Sequence, residues 1–216
     1  MEIVELSADE VRAAADELGR LLLDAHEANM ALGLSGPLTA EHAREVWIET
    51  ASKLDPVGRV LLVARDDGVV VGTVQIVRAE SENGGHRAEI QRLAVRADLR
   101  GSGLGRALLE AAVERSRDLG LRLLWLTTHE STGSDRFYEA VGWTRLGAMP
   151  LYSARPDGTL AGSAMYYLVL PGPGPIRGLA PKARGAGGRT RTDGRSLTRR
   201  VLYQLSYSGA AAMVRG

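Results

Sequence analysis

The stretch Leu93-Ala-Val-Arg-Ala-Asp-Leu-Arg100-Gly101-Ser102-Gly103-Leu104-Gly105-Arg106-Ala-Leu-Leu109 decides the reading of this chain. It runs from a strand through a glycine-rich turn into a helix. Leu104 to Leu119 carries its apolar residues at helical spacing, and Gly120 is suited to end that helix. The glycines let the backbone turn sharply, so that several N–H groups point into one concavity. They stand at a helix N-terminus, whose dipole favours an anion. Arg100 adds a full positive charge at the lip. The segment therefore reads as a pyrophosphate cradle, although glycines alone would also permit a tight turn that binds nothing. It is not a P-loop, because no Lys-Ser or Lys-Thr follows the glycines. Nor is it the dinucleotide fingerprint: the glycines fall at 101, 103 and 105, and the preceding strands come as hairpins instead of β-α-β units.

Outward from this segment the chain alternates strands and helices. Residues 2–6 read as a strand. Ser7 and Glu10 form a capping box for a helix expected to run to about Glu27. A second helix starts at the Thr39 cap and passes through Trp47 and Ile48. Val60–Val63 and Val69–Val77 are strands joined by the hairpin signal Asp66-Asp67-Gly68. A turn at Asn83-Gly84-Gly85 precedes a strand from Arg87 to Val95. Within that strand Ile90 lies on one face by parity, whereas Leu93 and Val95 lie on the other. A one-residue bulge near Gln91-Arg92 would reconcile them and splay this strand from the next. Leu123–Thr127 is a buried strand, Asp135–Val141 a short helix ended by Gly142, and residues 143–153 and 162–170 are the last strands.

Composition narrows the function classes. The chain of 216 residues has no cysteine, which excludes disulfides, thiolate metal sites and a cysteine nucleophile. Its four histidines, His26, His42, His86 and His129, show no zinc spacing, so no metal is expected. No apolar run is long enough to span a membrane, and the acidic N-terminus is unlike a signal peptide; the expected location is the cytoplasm. Up to Leu170 there are 18 Lys+Arg against 25 Asp+Glu, net −7; from Pro171 there are 9 against 1, net +8. The break coincides with Pro171-Gly-Pro-Gly-Pro175. A folded domain over 1–170 and a basic Gly/Pro/Arg-rich tail over 171–216, too poor in apolar residues to fold alone, are expected.

Arg100-Gly-Ser-Gly103-Leu-Gly105 resembles the R-x-x-G-x-G signature of the GCN5-related N-acetyltransferases. Asp135-Arg-Phe-Tyr138-Glu-Ala-Val-Gly142-Trp143 is similar to that family's F-Y-x-x-x-G-F segment, and the order of elements over residues 2–170 is the family's. Gly84-Gly85-His86-Arg87-Ala88-Glu89-Ile90 resembles the tabtoxin-resistance branch, but Thr127 stands where that branch has an aspartate. The resemblance implies an α+β fold, an α/β/α sandwich whose mixed, mostly antiparallel sheet of about seven strands is flanked by about four helices. It implies acetyl-CoA as donor, with the pyrophosphate on the N–H groups of Gly101, Ser102, Gly103, Leu104, Gly105 and Arg106, beside Arg100. The pantetheine arm would pair with the backbone of the strand carrying Leu93 and Val95.

Two chemical roles remain. The acceptor amine is protonated at neutral pH and must lose a proton before it attacks. Glu89 matches the family's glutamate base; it could equally be an ion-pair partner of Arg87 or Arg92. His86 is the rival base. Tyr138 matches the family's general acid for the departing thiolate; it could equally be a packing residue beside Phe137. Asp24, His26, Glu27, Asn29, Trp47 and Gln75 are further candidates for substrate contact. The expected activity is acetyl transfer to a primary amine of a small molecule by direct attack in a ternary complex. The competing readings are a protein lysine or N-terminal acetyltransferase and a non-catalytic acyl-CoA sensor. The domain's acidity favours a cationic acceptor. The tail lacks a nucleic-acid-binding module, so a nucleic-acid partner is not expected, and a homodimer is left open. Leu202-Tyr-Gln-Leu-Ser-Tyr207 and Arg189-Thr-Arg-Thr192 back-translate, on the opposite strand, to sequences like the D- and TΨC-arms of a transfer RNA gene, so the tail reads as antisense read-through.

Overall fold

The computed structural model describes residues 1–28, 30, 32–34, 36–130, 134–155 and 157–172, with the backbone alone at 134 and 135. Met1–Leu170 forms one unit. The strands are β1 (Glu2–Glu5), β2 (Arg59–Asp66), β3 (Val69–Arg78), β4 (Arg87–Val95), β5 (Leu123–His129), β6 (Thr144–Ala154) and β7 (Leu160–Val169). The α-helices are α1 (Ala8–Ala13), α2 (Ala15–Glu27), α3 (Ala40–Ser52), α4 (Leu104–Asp118) and α5 (Ser134–Ala140).

The first helical stretch departs from its expected form. The capping box is present: Ser7 accepts from the Glu10 N–H, and the Glu10 carboxylate accepts from the Ser7 N–H. Ala14, however, leaves helical geometry at φ −92°, ψ 8°, and divides the expected single helix into α1 and α2. Val11 is buried on α1, which packs against α3, and Leu18 and Leu22 are buried on α2. The fold therefore has five α-helices where about four were read.

The seven strands form one sheet in the order β1-β2-β3-β4-β5-β7-β6. Every neighbouring pair is antiparallel except β4 and β5. The β2–β3 hairpin turns at Asp67 and Gly68, both at positive φ (47° and 82°). One face of the sheet is covered by α4, which buries Leu104, Leu108, Leu109 and Ala112 along one stripe. The other face is covered by α1–α3, where Leu61, Val63 and Ala94 meet Leu18, Leu22 and Trp47. Arg115 near the end of α4 pairs with Glu5 of β1 (2.7 Å), tying helix to sheet edge.

β4 carries the bulge that its parity called for. Thr73 faces Ala94 but Gln75 faces Gln91, so β4 has one more residue than β3 over this interval. Arg92 takes φ 49°. Ala88, Ile90, Leu93 and Val95 thereby all join the core cluster on the α4 face. The parallel ladder to β5 is confined to Arg87–Leu123, Ala88–Leu124 and Glu89–Trp125. Beyond Glu89 no register pair joins the two strands. β5 instead continues antiparallel to β7 as far as His129–Ser163.

Candidate active site

The glycine turn follows directly from the end of β4. Gly101 and Gly103 have φ of 78° and 94°, the left-handed region open to glycine, and space for a Cβ surrounds both. Gly103 is the N-cap of α4 and offers no side-chain acceptor to the first turn. The Leu104 N–H reaches only the Ser102 hydroxyl (3.4 Å), and the first backbone bond into the helix is Ala107 to Gly103 (3.1 Å). Among the described residues the N–H groups of Gly103, Gly105 and Arg106 have no carbonyl partner. They are the donors that a helix N-terminus leaves over for an anion. Gly105 differs from the other two glycines: a Cβ there would meet Val95 Cγ2 at 3.7 Å and Phe137 Cζ at 3.8 Å, ordinary contacts on the side of the core.

Arg100 is not held free at the lip. Its Nε donates to the Val95 carbonyl (3.1 Å) and its Nη2 lies 3.5 Å from the Asp24 carbonyl, so its guanidinium turns back and braces the turn against β4 and α2. Arg106 is exposed, with Nη2 3.4 Å from the Ala140 carbonyl at the end of α5.

Glu89 lies on the sheet face opposite α4, in a cross-strand row with Arg59, Val77, Trp125 and Tyr167. Its Oε2 accepts from Gln91 Nε2 (2.8 Å). Burial pushes its carboxyl above the usual range, and the Gln91 bond and the Arg59 charge oppose that rise only in part. Neither Arg87 nor Arg92 forms an ion pair with it among the described residues. Arg92, displaced by the bulge, donates from Nη1 to the Thr50 hydroxyl (2.6 Å), and its guanidinium carbon sits 5.2 Å from the centroid of the Trp47 ring. His86 is exposed in the turn before β4, where its carbonyl accepts from the Arg122 N–H (2.7 Å).

Tyr138 lies on the opposite face, among Phe137 (5.1 Å between centroids), Trp143 (6.2 Å) and Tyr166 (5.4 Å). Burial raises its phenol far above the ordinary value, with Tyr166 adding to the effect. The hydroxyl therefore keeps its proton at neutral pH. The remaining sequence candidates divide. Trp47 and Gln75 are buried, at 1% and 0% exposure, under α3 and in the sheet floor. His26 Nε2 is bonded to the Gly36 carbonyl (2.9 Å). Asp24 and Glu27 line a separate cavity of about 400 Å³ between α2 and the start of β3. Asn29 lies outside the described residues.

Tyr152 was not found from sequence. A second irregularity in β6, between Met149 and Ser153, with Leu151 at φ 56°, brings this residue back toward the site. Burial raises its phenol and the Glu89 carboxylate adds to the rise, while the Thr127 hydroxyl offsets part of it. Among the described residues, no group of three or more acidic or histidine side chains is placed to hold a metal ion. No helix among them is long and apolar enough to cross a membrane.

The glycine turn thus stands at the N-terminus of α4, beside the opening between β4 and β5. Residues 19–143 match the family model described as acetyltransferase (GNAT) family. The chain belongs to that family, a family of acetyl-CoA-dependent N-acetyltransferases. Among characterised relatives, the mycothiol acetyltransferase of Propionibacterium freudenreichii subsp. shermanii is 34% identical over 148 residues. That match takes in 65% of this chain and 45% of the relative, so the chain spans less than half of that protein's length. Among solved structures, the yncA protein of Salmonella typhimurium with its cofactor acetyl-CoA superposes with a TM-score of 0.62 at 18% identity, over 83% of this chain and 99% of that one. The ribosomal-protein-alanine N-acetyltransferase of Brucella melitensis gives 0.62 at 22%, over 79% and 100%. These two share the fold.

Proposed function

We propose that this protein transfers an acetyl group from acetyl-CoA to a primary amine of a small molecule, in the cytoplasm, by direct attack within a ternary complex. The observation that carries the reading is the loss of β4–β5 pairing beyond Glu89, beside a helix N-terminus with unpartnered N–H groups. The opening leaves one edge of β4 available to an amide-bearing arm, as an added strand would use it. The N–H groups of Gly103, Gly105 and Arg106 suit a pyrophosphate at its end.

When bound, acetyl-CoA supplies a thioester carbonyl open to attack by an amine. Glu89 Oε1 or Oε2 takes the proton of the acceptor ammonium, directly or through one water. Its raised proton affinity makes it a better base than an ordinary carboxylate, though one protonated to higher pH. Tyr138 Oη holds a proton for the departing sulfur. Placing amine and carbonyl together supplies much of the remaining acceleration.

The test is thermal unfolding of the full chain with and without acetyl-CoA, followed by acetylation of an amine panel. Ligand at one hundred times its Kd stabilises by about 2.7 kcal/mol. The expected result is a rise in Tm that shrinks in Arg106→Glu, together with acetylated product. A rise without turnover of any amine supports an acyl-CoA sensor instead. No rise at millimolar acetyl-CoA overturns the donor site.

A further inference from the structure

The acceptor face of the sheet has a charge pattern that a simple amine does not use. Glu89 is the carboxylate at its centre. On the same face stand two arginines. Arg59 is in the cross-strand row of Glu89, two strands away. Arg92 follows three residues later in β4, where the bulge turns it over Trp47. Both are half-buried. Burial penalises the charged form of Arg92 most, and the like charge of Arg59 adds to that penalty. Among the described residues neither closes an ion pair. Glu49, at the outer edge of α3, attracts both, but its carboxylate is bonded to Lys53 Nζ. The Arg92 guanidinium meets one hydroxyl, Thr50 Oγ1, and one ring face, Trp47, so one planar edge of the fork is left without an acceptor. Beneath them lies Gln75, on the sheet face it shares with Thr73 and between the partners of Arg92 and Glu89. Its amide is fully buried, and neither its Oε1 nor its Nε2 has a partner.

A desolvated guanidinium beside a second like charge is costly unless an anion joins them. A guanidinium held flat on an aromatic ring presents its donors in a fixed plane, a geometry that suits a carboxylate taken by two parallel bonds. We propose that the acceptor is a zwitterion: Glu89 takes its amino group, and Arg92, supported by Arg59, takes a carboxylate on the same molecule. Strand geometry puts the two anchors up to about 10 Å apart at the backbone. The substrate class is therefore a small amino acid. This inference rests on the acetyltransferase reading above.

The experiment compares each acid with its carboxamide, for the L-α-amino acids and for an ω-amino acid series from glycine to 6-aminohexanoate, using the full chain and acetyl-CoA. For the best acceptor, kcat/KM for the acid exceeds that for the carboxamide by at least tenfold, chiefly through KM. In Arg92→Gln that ratio falls to near one, and Arg92→Lys, which keeps the charge but not the fork, is intermediate. A folding defect would lower both rates and leave the ratio alone. A wild-type ratio near one for every pair, or an unchanged ratio in Arg92→Gln, overturns the proposal. If no member of the series is acetylated although acetyl-CoA still raises Tm, calorimetric titration of the same acids and carboxamides into CoA-loaded protein decides. Binding of the acids alone, lost in Arg92→Gln, upholds the zwitterion site while the transfer reading falls; binding of neither overturns it.

Discussion

Gln91 donates from its Nε2 to Oε2 of Glu89 across 2.8 Å, two residues along the same face of β4. The bond fixes the carboxylate without neutralising it, and burial still holds its proton affinity above the ordinary value. For a base that works deprotonated, the acidic limb of kcat/KM must then lie above the usual carboxylate range. Glu89→Gln is expected to lower kcat by about 10²-fold and to abolish that limb. Stability moves the other way. The folded state holds this proton to higher pH than the unfolded chain does, so stability is lost as pH rises through the folded pKa. Glu89→Gln, which carries no charge to desolvate, is expected to be more stable than wild type at pH 8 by about 1 kcal/mol and not at pH 4. Thermal melts at the two pH values check the sign.

Tyr138 is packed by three aromatic rings, so Phe in its place keeps the packing and removes only the hydroxyl. Tyr138→Phe is expected to leave Tm within about 2 °C of wild type, while kcat falls roughly 10- to 100-fold with little change in KM. An unchanged kcat would assign Tyr138 to packing alone.

The glycines of the turn are not equivalent. Gly103 sits at φ 94°, where a Cβ is strained although space surrounds it. Gly103→Ala is expected to cost about 1–2 kcal/mol and to weaken acetyl-CoA binding. Gly105 has room for a methyl group against Val95 and Phe137. Gly105→Ala is expected to be neutral or to stabilise by about 0.5 kcal/mol, and to keep the acetyl-CoA shift. Unfolding curves for the pair, with and without ligand, separate backbone strain from site chemistry.

We propose that residues 171–216 lie outside the catalytic domain. Removing residues 173–216 is expected to leave the acetyl-CoA shift and the transfer rate within twofold of the full chain. The genomic DNA gives a second check: a transfer RNA gene on the opposite strand is expected over roughly the codons for Gly188 to Ala210.

The bulge in β4 was legible because parity is a local property. Ile90 and Leu93 could not both face the core in an unbroken strand, and the core needed both. The glycine turn and the Ser7–Glu10 box were legible because their chemistry lies within a few residues. Tyr152 was not, because its place depends on an irregularity three strands away from Glu89 that no local pattern announces. Arg92 could be read only as a nearby charge; its seat over Trp47 depends on α3, some forty residues earlier. Trp47 and Gln75, read as possible substrate contacts, are covered by packing that sequence spacing does not encode.

The three-pair seam between β4 and β5 is the shortest ladder in the sheet. On one side lie β1 to β4, on the other β5, β7 and β6, and among the described residues the ladder between the two half-sheets runs over 87–89 and 123–125, extended by the bonds of the Arg122 and Leu123 N–H groups to the His86 carbonyl. A pantetheine arm lying along β4 would lengthen that seam. The donor would then complete the sheet as well as deliver the acetyl group. Amide hydrogens of residues 91–95 should exchange more slowly once it is bound, and the two half-sheets should share a longer joint with the donor in place than without it.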